Sequence, residues 1–302
     1  MRIAVAATPG VAIPTLDWLL ASEHQLDLII TQPDRPSGRG QKNTESPVSA
    51  WARVNKIEVI KPDVSSELLS VATKFDLFIT IGYGVILPDN LLNLPLHGFL
   101  NLHFSLLPAY RGAAPVQRAL ENGELESGVT VFKLDKGLDT GPIYSQGKLA
   151  IEPTWRSFEL LTELSELGVG VIKEAINKIE LGVEPLPQIG PTSYAAKISK
   201  IEAKIDFDLP AHTVLRRIKA FTYEPGAWTV FNQGAFKISD AKEIDHSQGI
   251  PGEVFVVDQK VIVSCGNATS LELLKVTPSG KREMSAIDWS RGARLEQGAC
   301  FG

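Results

Sequence analysis

A series of short, uninterrupted apolar runs parted by segments of helical spacing narrows the fold of this chain more than any other feature. Arg2–Thr8 ends in the turn signal Thr8-Pro9-Gly10. Asp27–Thr31 (DLIIT), Asp76–Tyr83 (DLFITIGY) and Gly98–His103 (GFLNLH) repeat the pattern, and Gly128–Leu134 is the next run. Val11–Ala21 and Ala114–Asn122 carry apolar residues near helical spacing, and a longer helix is expected from about Thr154 to Glu180. Strands that are apolar throughout, rather than alternately polar, are buried on both faces. Helices between them supply the cover, so the expected class is α/β with a mostly parallel sheet.

The pattern changes after the long helix. Gly182–Tyr194 (GVEPLPQIGPTSY) holds three prolines and two glycines and reads as a connection rather than an element. Beyond it one helix is expected at Ala211–Ala220. Five short β-type runs follow, at Ala227–Phe231, Ala235–Ile238, Gly252–Val257, Val261–Cys265 and Leu271–Val276. That spacing suggests a small barrel or sandwich, and a barrel of the oligonucleotide-binding type has five strands. The expected division is residues 1–189, a linker at 190–206, and 207–302.

Composition removes several classes. Of 302 residues 44% are hydrophobic, against the low hydrophobicity that disorder requires. No apolar run reaches the roughly 18 residues of a membrane span, and Met1-Arg2-Ile3-Ala4-Val5 enters a strand without the pattern of a signal peptide. Two cysteines, Cys265 and Cys300, suit a reducing cytosol. The five histidines show no i, i+4 pair and no neighbouring cysteine, so no metal site is expected.

Polar chemistry is densest at Asn101-Leu102-His103-Phe104-Ser105-Leu106-Leu107-Pro108. Residues two apart on a strand share a face, so Asn101 and His103 project side by side at the carboxyl end of an expected parallel strand, where open α/β sheets place ligands. An imidazole exchanges a proton near neutral pH and an amide N–H stabilises an oxyanion, a combination suited to acyl chemistry. The pair also reads as ordinary strand-end hydrogen bonding. The later loop Asp135-Lys136-Gly137-Leu138-Asp139-Thr140-Gly141 sets an aspartate between glycines. Placed beside His103, Asp139 favours the imidazolium and raises its pKa; alternatively the loop is a turn whose aspartate bonds its own backbone. A Ser105–His103 triad lacks the G-x-S-x-G elbow. Ser37–Lys42 lacks phosphate-loop spacing, and no G-x-G-x-x-G follows the first strand.

NLHFSLLPAYRGAAPVQRAL (Asn101–Leu120) and GVTVFKLDKGLDTGPI (Gly128–Ile143) resemble the signature of the folate-dependent formyltransferases. QPDRPSGRGQK (Gln32–Lys42), SYAAKISKIEAKIDF and KREMSAIDWSRGARLEQG extend the resemblance over nearly the whole chain, toward the branch that acts on methionyl-tRNA. It implies a Rossmann-like formyltransferase domain followed by a small β-barrel of oligonucleotide-binding type. The implied reaction moves a formyl group from 10-formyltetrahydrofolate to the α-amino group of methionine on initiator tRNA, in the cytoplasm, by a monomer that uses no metal and no membrane. By motif match Asn101, His103 and Asp139 are catalytic, with protonated His103 helping Asn101 to hold the oxyanion and either His103 or a water it shares with Asp139 carrying the proton from amine to folate nitrogen. The folate site falls to Ser105, Leu106, Leu107 and Pro108, with Tyr83, Gly84, Val85 and Ile86 as a second wall. Two positions depart from the family's pattern: Ala7 where glycine is common, and Tyr223 where many members carry proline. A sugar-nucleotide N-formyltransferase using the same donor shares the core motif and is the nearest alternative. From another class, a catalytically dead binding module is opposed by the intact Asn101, His103 and Asp139.

The net charge of −5 argues against a nucleic-acid partner as an average. Residues 207–302 hold 11 basic and 11 acidic residues, so the deficit lies in residues 1–206. Locally the picture differs: Lys197, Lys200, Lys204, Arg216, Arg217 and Lys219 meet only Glu202, Asp206 and Asp208 across 195–219, and Arg35, Arg39 and Lys42 cluster in a Pro/Gly-rich loop. Screening confines phosphate contacts to about 10 Å, so local charge is what counts. The two clusters otherwise read as a solvated linker and a surface loop; the resemblance assigns them to tRNA. Arg39→Ala is predicted to impair formylation of methionyl-tRNA while leaving folate binding intact, as measured by initial rates and a folate titration; equal loss of both would exclude the assignment.

Overall fold

The computed structural model describes residues 1–37, 42–246 and 248–302. The chain forms two compact units. The first comprises Met1–Pro115, Glu126–Ala150 and Leu161–Ala195, and the second Val116–Leu125, Ile151–Leu160 and Ala196–Gly302.

In the first unit the strands are β1 (Arg2–Ala7), β2 (Gln25–Ile30), a small hairpin of β3 (Arg35–Ser37) and β4 (Lys42–Thr44), β5 (Glu58–Ile60), β6 (Leu77–Ile81), β7 (Phe99–His103), β8 (Glu126–Lys133) and β9 (Ile143–Ala150). The helices are α1 (Ile13–Ala21), α2 (Pro47–Asn55), the single turns α3 (Leu69–Ala72) and α4 (Asp89–Leu92), α5 (Pro115–Asn122) and α6 (Ser157–Glu180). Residues of α5 and α6 belong to both units. Seven strands form one sheet in the order β5-β2-β1-β6-β7-β8-β9. The first five run parallel. The apolar runs explain this: every residue of β6 is buried, as are five of the six in β1. Alternate residues Ala4, Ala6, Leu28, Ile30, Phe78 and Phe99 form one core layer, with the Phe78 and Phe99 rings stacked 4.5 Å apart. Local chemistry sets the helix starts; at α2 the Ser46 hydroxyl accepts the Ser49 N–H at 3.0 Å, ahead of Pro47 in the first turn.

The chain runs outward from β1 to β2 and β5, then returns to β6 on the other side of β1. Connections therefore leave β1 and β6 in opposite directions, and their carboxyl ends bracket the crevice where such sheets bind ligands. Strand β7, ending at His103, is the next one along.

The sheet is less uniformly parallel than the apolar runs suggest. Strand β8 runs antiparallel to β7, and β9 pairs antiparallel with β8, which returns it to the direction of the first five. The run pattern finds β8 but not β9, because IYSQGKLA is an edge strand with alternating exposure and a polar composition. In the second unit α7 (Ala211–Phe221) precedes β10 (Trp228–Phe231), β11 (Gly234–Ile244), β12 (Val254–Val257), β13 (Lys260–Cys265) and β14 (Thr269–Thr277), followed by β15 (Met284–Ser285) and α8 (Ala286–Ala293). These strands make an antiparallel sheet in the order β10-β11-β14-β13-β12, with β15 on β14. Register shifts near Asp240 let the long β11 bend. Its core is aromatic: Phe231, Phe236, Trp289 and Phe301 lie with ring centroids 4.6 to 6.1 Å apart. No helix among the described residues is long and apolar enough to cross a membrane.

Phe78→Ala deletes a fully buried ring that both Phe75 and Phe99 touch. It is expected to destabilise the first unit by about 3–5 kcal/mol, read as a lower midpoint in urea unfolding; a change below about 1 kcal/mol would contradict this view of the core.

Candidate active site

His103 closes β7 and is buried, 6% exposed. Its Nε2 lies 2.9 Å from the carbonyl oxygen of Tyr110. A carbonyl only accepts, so Nε2 carries the proton and the neutral ring keeps its lone pair on Nδ1. That nitrogen faces Asp139 Oδ2 at 3.8 Å, bringing together the two residues that lie 36 positions apart. Asp139 is held in turn by the Gly112 N–H, which donates to Oδ2 at 2.8 Å. Gly112 has φ +122, and a Cβ there would lie 2.7 Å from the Ala195 carbonyl oxygen, so only glycine suits this approach. Tyr110 and Asp139 themselves adopt left-handed backbone, with φ of 60° and 51°. These conformations turn the Tyr110 carbonyl and the Asp139 carboxylate toward the two nitrogens of one imidazole.

The turn chemistry of the Asp139 loop is handled by its first residue. Asp135 Oδ1 accepts from the Gly137 N–H at 3.0 Å and the Thr140 hydroxyl at 2.6 Å. Asp139 is thereby released from a local role. Gly141 allows close backbone approach, since a Cβ there would lie 1.7 Å from the Lys133 carbonyl oxygen.

The electrostatics reverse one expectation. Asp139 does favour the imidazolium, and so does the Tyr110 carbonyl, but burial outweighs both and pushes the His103 pKa below the usual histidine range. Protonated His103 is therefore not the resting form, and at neutral pH the ring has a lone pair at Nδ1 with which to accept a proton. Sequence spacing could not reveal this, because depth of burial is a tertiary property. Asn101, two residues earlier on β7, is half-buried, and its amide has no hydrogen-bond partner among the described residues.

The loop after β7 is pinned from β8 and β9. The fully buried Thr130 lies opposite His103 in register. Its hydroxyl donates to the Ser105 carbonyl at 2.7 Å and accepts the Leu107 N–H at 3.0 Å. Gln146, opposite Thr130 on β9, donates to Thr130 Oγ1 at 2.9 Å and to the Leu107 carbonyl at 3.0 Å. The Ser105 hydroxyl donates to the Ala109 carbonyl at 2.6 Å, closing the turn rather than serving a triad. Leu107 and Pro108 are buried and Leu106 is half-buried, so in this expected folate loop the backbone and Leu106 are what a ligand meets. On the second expected wall, after β6, Tyr83 is buried in the core layer and Gly84, Val85 and Ile86 are exposed. Gln32 donates to the Tyr83 carbonyl at 2.6 Å and fixes that loop at the switch point. Nothing in the sequence marks the roles of Arg111, in the first signature stretch, or Gln188, in the connecting segment; Thr130, a polar residue within an apolar strand, and Gln146 on the polar edge strand were also unmarked.

Of the residues expected at tRNA, Arg39 lies outside the described residues, and Arg35 is exposed on β3 next to the Lys42 strand. Lys197, Lys200, Lys204 and Arg216 are exposed, and the three lysines make no ion pair among the described residues. Arg217 differs, with its charge met by Glu121 at 2.7 Å. Glu202, which the linear count set against the lysines, pairs with Arg118 at 2.6 Å. The two departures from the family's pattern are absorbed locally: Ala7 is fully buried in β1, and the Tyr223 ring faces the Arg156 guanidinium at 5.5 Å. One group of metal-ligand type occurs among the described residues, Glu23, His24 and Glu180, with ligand atoms within 4.8 Å of one another.

Comparison with known proteins decides the family. Residues 1–176 match the formyl transferase family model and residues 197–294 match the formyl transferase C-terminal domain. A methionyl-tRNA formyltransferase of Nocardioides sp. JS614 is 40% identical over 311 aligned positions, covering all of this chain and 98% of that protein. The chain belongs to the methionyl-tRNA formyltransferase family. Two more distant structures share the fold of the family. One is HypX from Aquifex aeolicus in complex with tetrahydrofolic acid, with a TM-score of 0.70 and 18% identity; 96% of this chain matches 47% of that larger one. The other is an N-formyltransferase from Helicobacter canadensis in complex with folinic acid and dTDP-3-aminofucose, with a TM-score of 0.69, 22% identity, and 90% and 98% coverage.

Removing the Asp139 charge takes away the main influence that raises the His103 pKa, so the sign of a pH effect is fixed. Asp139→Asn is expected to lower kcat/KM on the order of 10²-fold and to move the acid limb of its pH profile to lower pH. An unchanged rate and profile would exclude the Asp139–His103 coupling.

Proposed function

We infer that the chain transfers a formyl group from 10-formyltetrahydrofolate to the α-amino group of methionine carried by initiator tRNA. The identity of about 40% with a methionyl-tRNA formyltransferase over the full length, second unit included, carries the choice of acceptor. The sugar-nucleotide alternative rests on a fold shared at 22% identity.

Asn101, His103 and Asp139 supply the chemistry in this reading. The deprotonated amine attacks the formyl carbon, forming a C–N bond and a tetrahedral oxyanion. The Asn101 amide, without a partner among the described residues, donates to that oxygen. His103 Nδ1 accepts a proton from the resulting secondary ammonium nitrogen, and the Asp139 carboxylate stabilises the imidazolium while it lasts. Collapse of the intermediate breaks the bond from carbon to folate N10, and the same proton passes from Nδ1 to that leaving nitrogen. Formyl-methionyl-tRNA and tetrahydrofolate result, with protons and charge balanced.

The folate is placed between the Ser105–Pro108 loop and Tyr83–Ile86, both beyond the carboxyl ends of sheet strands. Lys197, Lys200, Lys204 and Arg216, with Arg35, Arg39 and Lys42, are assigned to the tRNA phosphates; Arg217 serves chiefly to hold Glu121. The reaction belongs in the cytoplasm, where translation starts.

The test is formate incorporation from labelled 10-formyltetrahydrofolate into charged initiator tRNA, charged elongator tRNA and a UDP-amino sugar. Transfer to the initiator is expected to exceed the others by at least roughly tenfold, about 1.4 kcal/mol of discrimination. Absence of transfer to methionyl-tRNA would refute the reading, and transfer to the sugar would replace it.

A further inference from the structure

The segment leading out of the first unit has the composition of a spacer, yet it is sewn to the catalytic residues' supports. Leu186 exchanges both backbone hydrogen bonds with Ile143, at 2.7 and 2.9 Å. The Ser193 hydroxyl accepts the Tyr110 N–H at 2.9 Å, and the Ser193 carbonyl accepts the Arg111 N–H at 2.9 Å. The Ala195 N–H donates to the Arg111 carbonyl at 2.7 Å. Tyr110 is the residue whose carbonyl orients His103, and Gly112 is the one that holds Asp139.

Gln188 makes the contact closest to the chemistry. Its Nε2 donates to the Asp139 carbonyl and to the Gly141 carbonyl, both at 2.8 Å. Its Oε1 accepts from the Arg111 guanidinium, at 2.6 Å from the terminal nitrogen and 3.3 Å from Nε. All the hydrogen-bonding capacity of that amide nitrogen is thus spent on the backbone of the Asp139 loop, and its oxygen is aimed by Arg111, a neighbour of Tyr110 and Gly112. We propose that Gln188 is a positioning residue for formyl transfer, clamping the left-handed Asp139 backbone so that its carboxylate faces His103 Nδ1. Arg111 fixes which way the Gln188 amide points, since only its oxygen can face the guanidinium.

Asp139 sits in the left-handed backbone region, which aspartate tolerates better than most residues, so the loop needs an outside constraint to hold the carboxylate in one place. Two donated hydrogen bonds to the carbonyls on either side of Thr140 supply that constraint. Without them the loop is free to relax, and displacement of a catalytic group by about 1 Å costs on the order of 10²-fold in rate. The proposal rests on the formyl-transfer reading only for its kinetic arm.

Two substitutions separate positioning from simple anchoring. Gln188→Leu removes every polar contact, whereas Gln188→Glu retains an acceptor for Arg111 and loses both donations to the loop. Both are expected to lower kcat by roughly 10²-fold, with KM for 10-formyltetrahydrofolate changed less than about twofold and with unchanged thermal midpoints. The His103 imidazole, followed by NMR titration, is expected to protonate at lower pH in Gln188→Leu than in the unsubstituted protein, because the Asp139 charge is no longer held near it. Activity retained by Gln188→Glu would assign the residue to anchoring through Arg111 and overturn the proposal. An unmoved His103 titration in Gln188→Leu would overturn it as well, whatever acceptor the enzyme uses. Lack of transfer by the unsubstituted protein would instead count against the functional reading, and the NMR comparison would still decide the role of Gln188.

Discussion

The site is organised around one hydrogen bond, from His103 Nε2–H to the Tyr110 carbonyl. It selects the tautomer, turns Nδ1 toward Asp139, and ties the end of β7 to the loop that follows seven residues later. A buried imidazole without such a partner would leave a polar nitrogen unsatisfied at a cost of about 1–3 kcal/mol. The Tyr110 carbonyl points correctly because Tyr110 adopts left-handed backbone. That conformation is supported in turn by the pairing of Tyr110–Ala114 with Ser193–Ala195. One ring orientation therefore draws on residues spread over ninety positions of sequence.

The antiparallel end of the sheet has a consequence for the same ring. In a continued parallel sheet the neighbour of β7 would arrive by a crossover and present its own carboxyl end beside His103. Here β8 arrives antiparallel and puts Thr130 directly across from His103. A threonine hydroxyl donates once and accepts twice, and all three capacities are used, by the Ser105 carbonyl, the Leu107 N–H and Gln146. A fully satisfied buried network is rigid, because any displacement strands a polar group in a low-dielectric interior. The loop expected to bear folate is thus held by strands that contribute nothing to the chemistry directly.

Legibility in the sequence follows from the range of the forces involved. The parallel strands were readable because burial on both faces leaves a continuous apolar run, and Asn101 and His103 were readable because strand periodicity puts them on one face. Strand β9 was hidden, since an edge position lets polar residues through. The connecting segment was misleading in a more instructive way: Pro185, Pro187, Gly190 and Pro191 rule out a helix or strand, but they say nothing about hydrogen bonds made to distant backbone. Gln188 looks like a surface residue in that setting. The basic residues near 197–217 show the same limit, because linear counting set Glu202 against the lysines while the fold gives it to Arg118. Charge averages over a chain, or over a window, miss which partners meet.

The opposing influences on His103 fit the reaction better than either alone. In the proposed reaction the proton is taken from the attacking nitrogen and then returned to folate N10, so a base that holds it too strongly is as poor as one that never takes it. Asp139 in full contact, on a solvated ring, would stabilise the imidazolium and trap the proton on the enzyme. Burial without a carboxylate would leave a ring too weakly basic to accept it. The structure combines deep burial with a carboxylate oxygen 3.8 Å away, beyond hydrogen-bonding distance but well within Coulombic reach. Burial prevails in the resting protein and keeps the ring neutral. As positive charge appears on the attacking amine, the nearby carboxylate makes transfer to Nδ1 favourable without making it final. In the proposed mechanism the 3.8 Å gap is therefore a functional dimension of the site, set by Gly112 at the carboxylate and by Gln188 at the backbone.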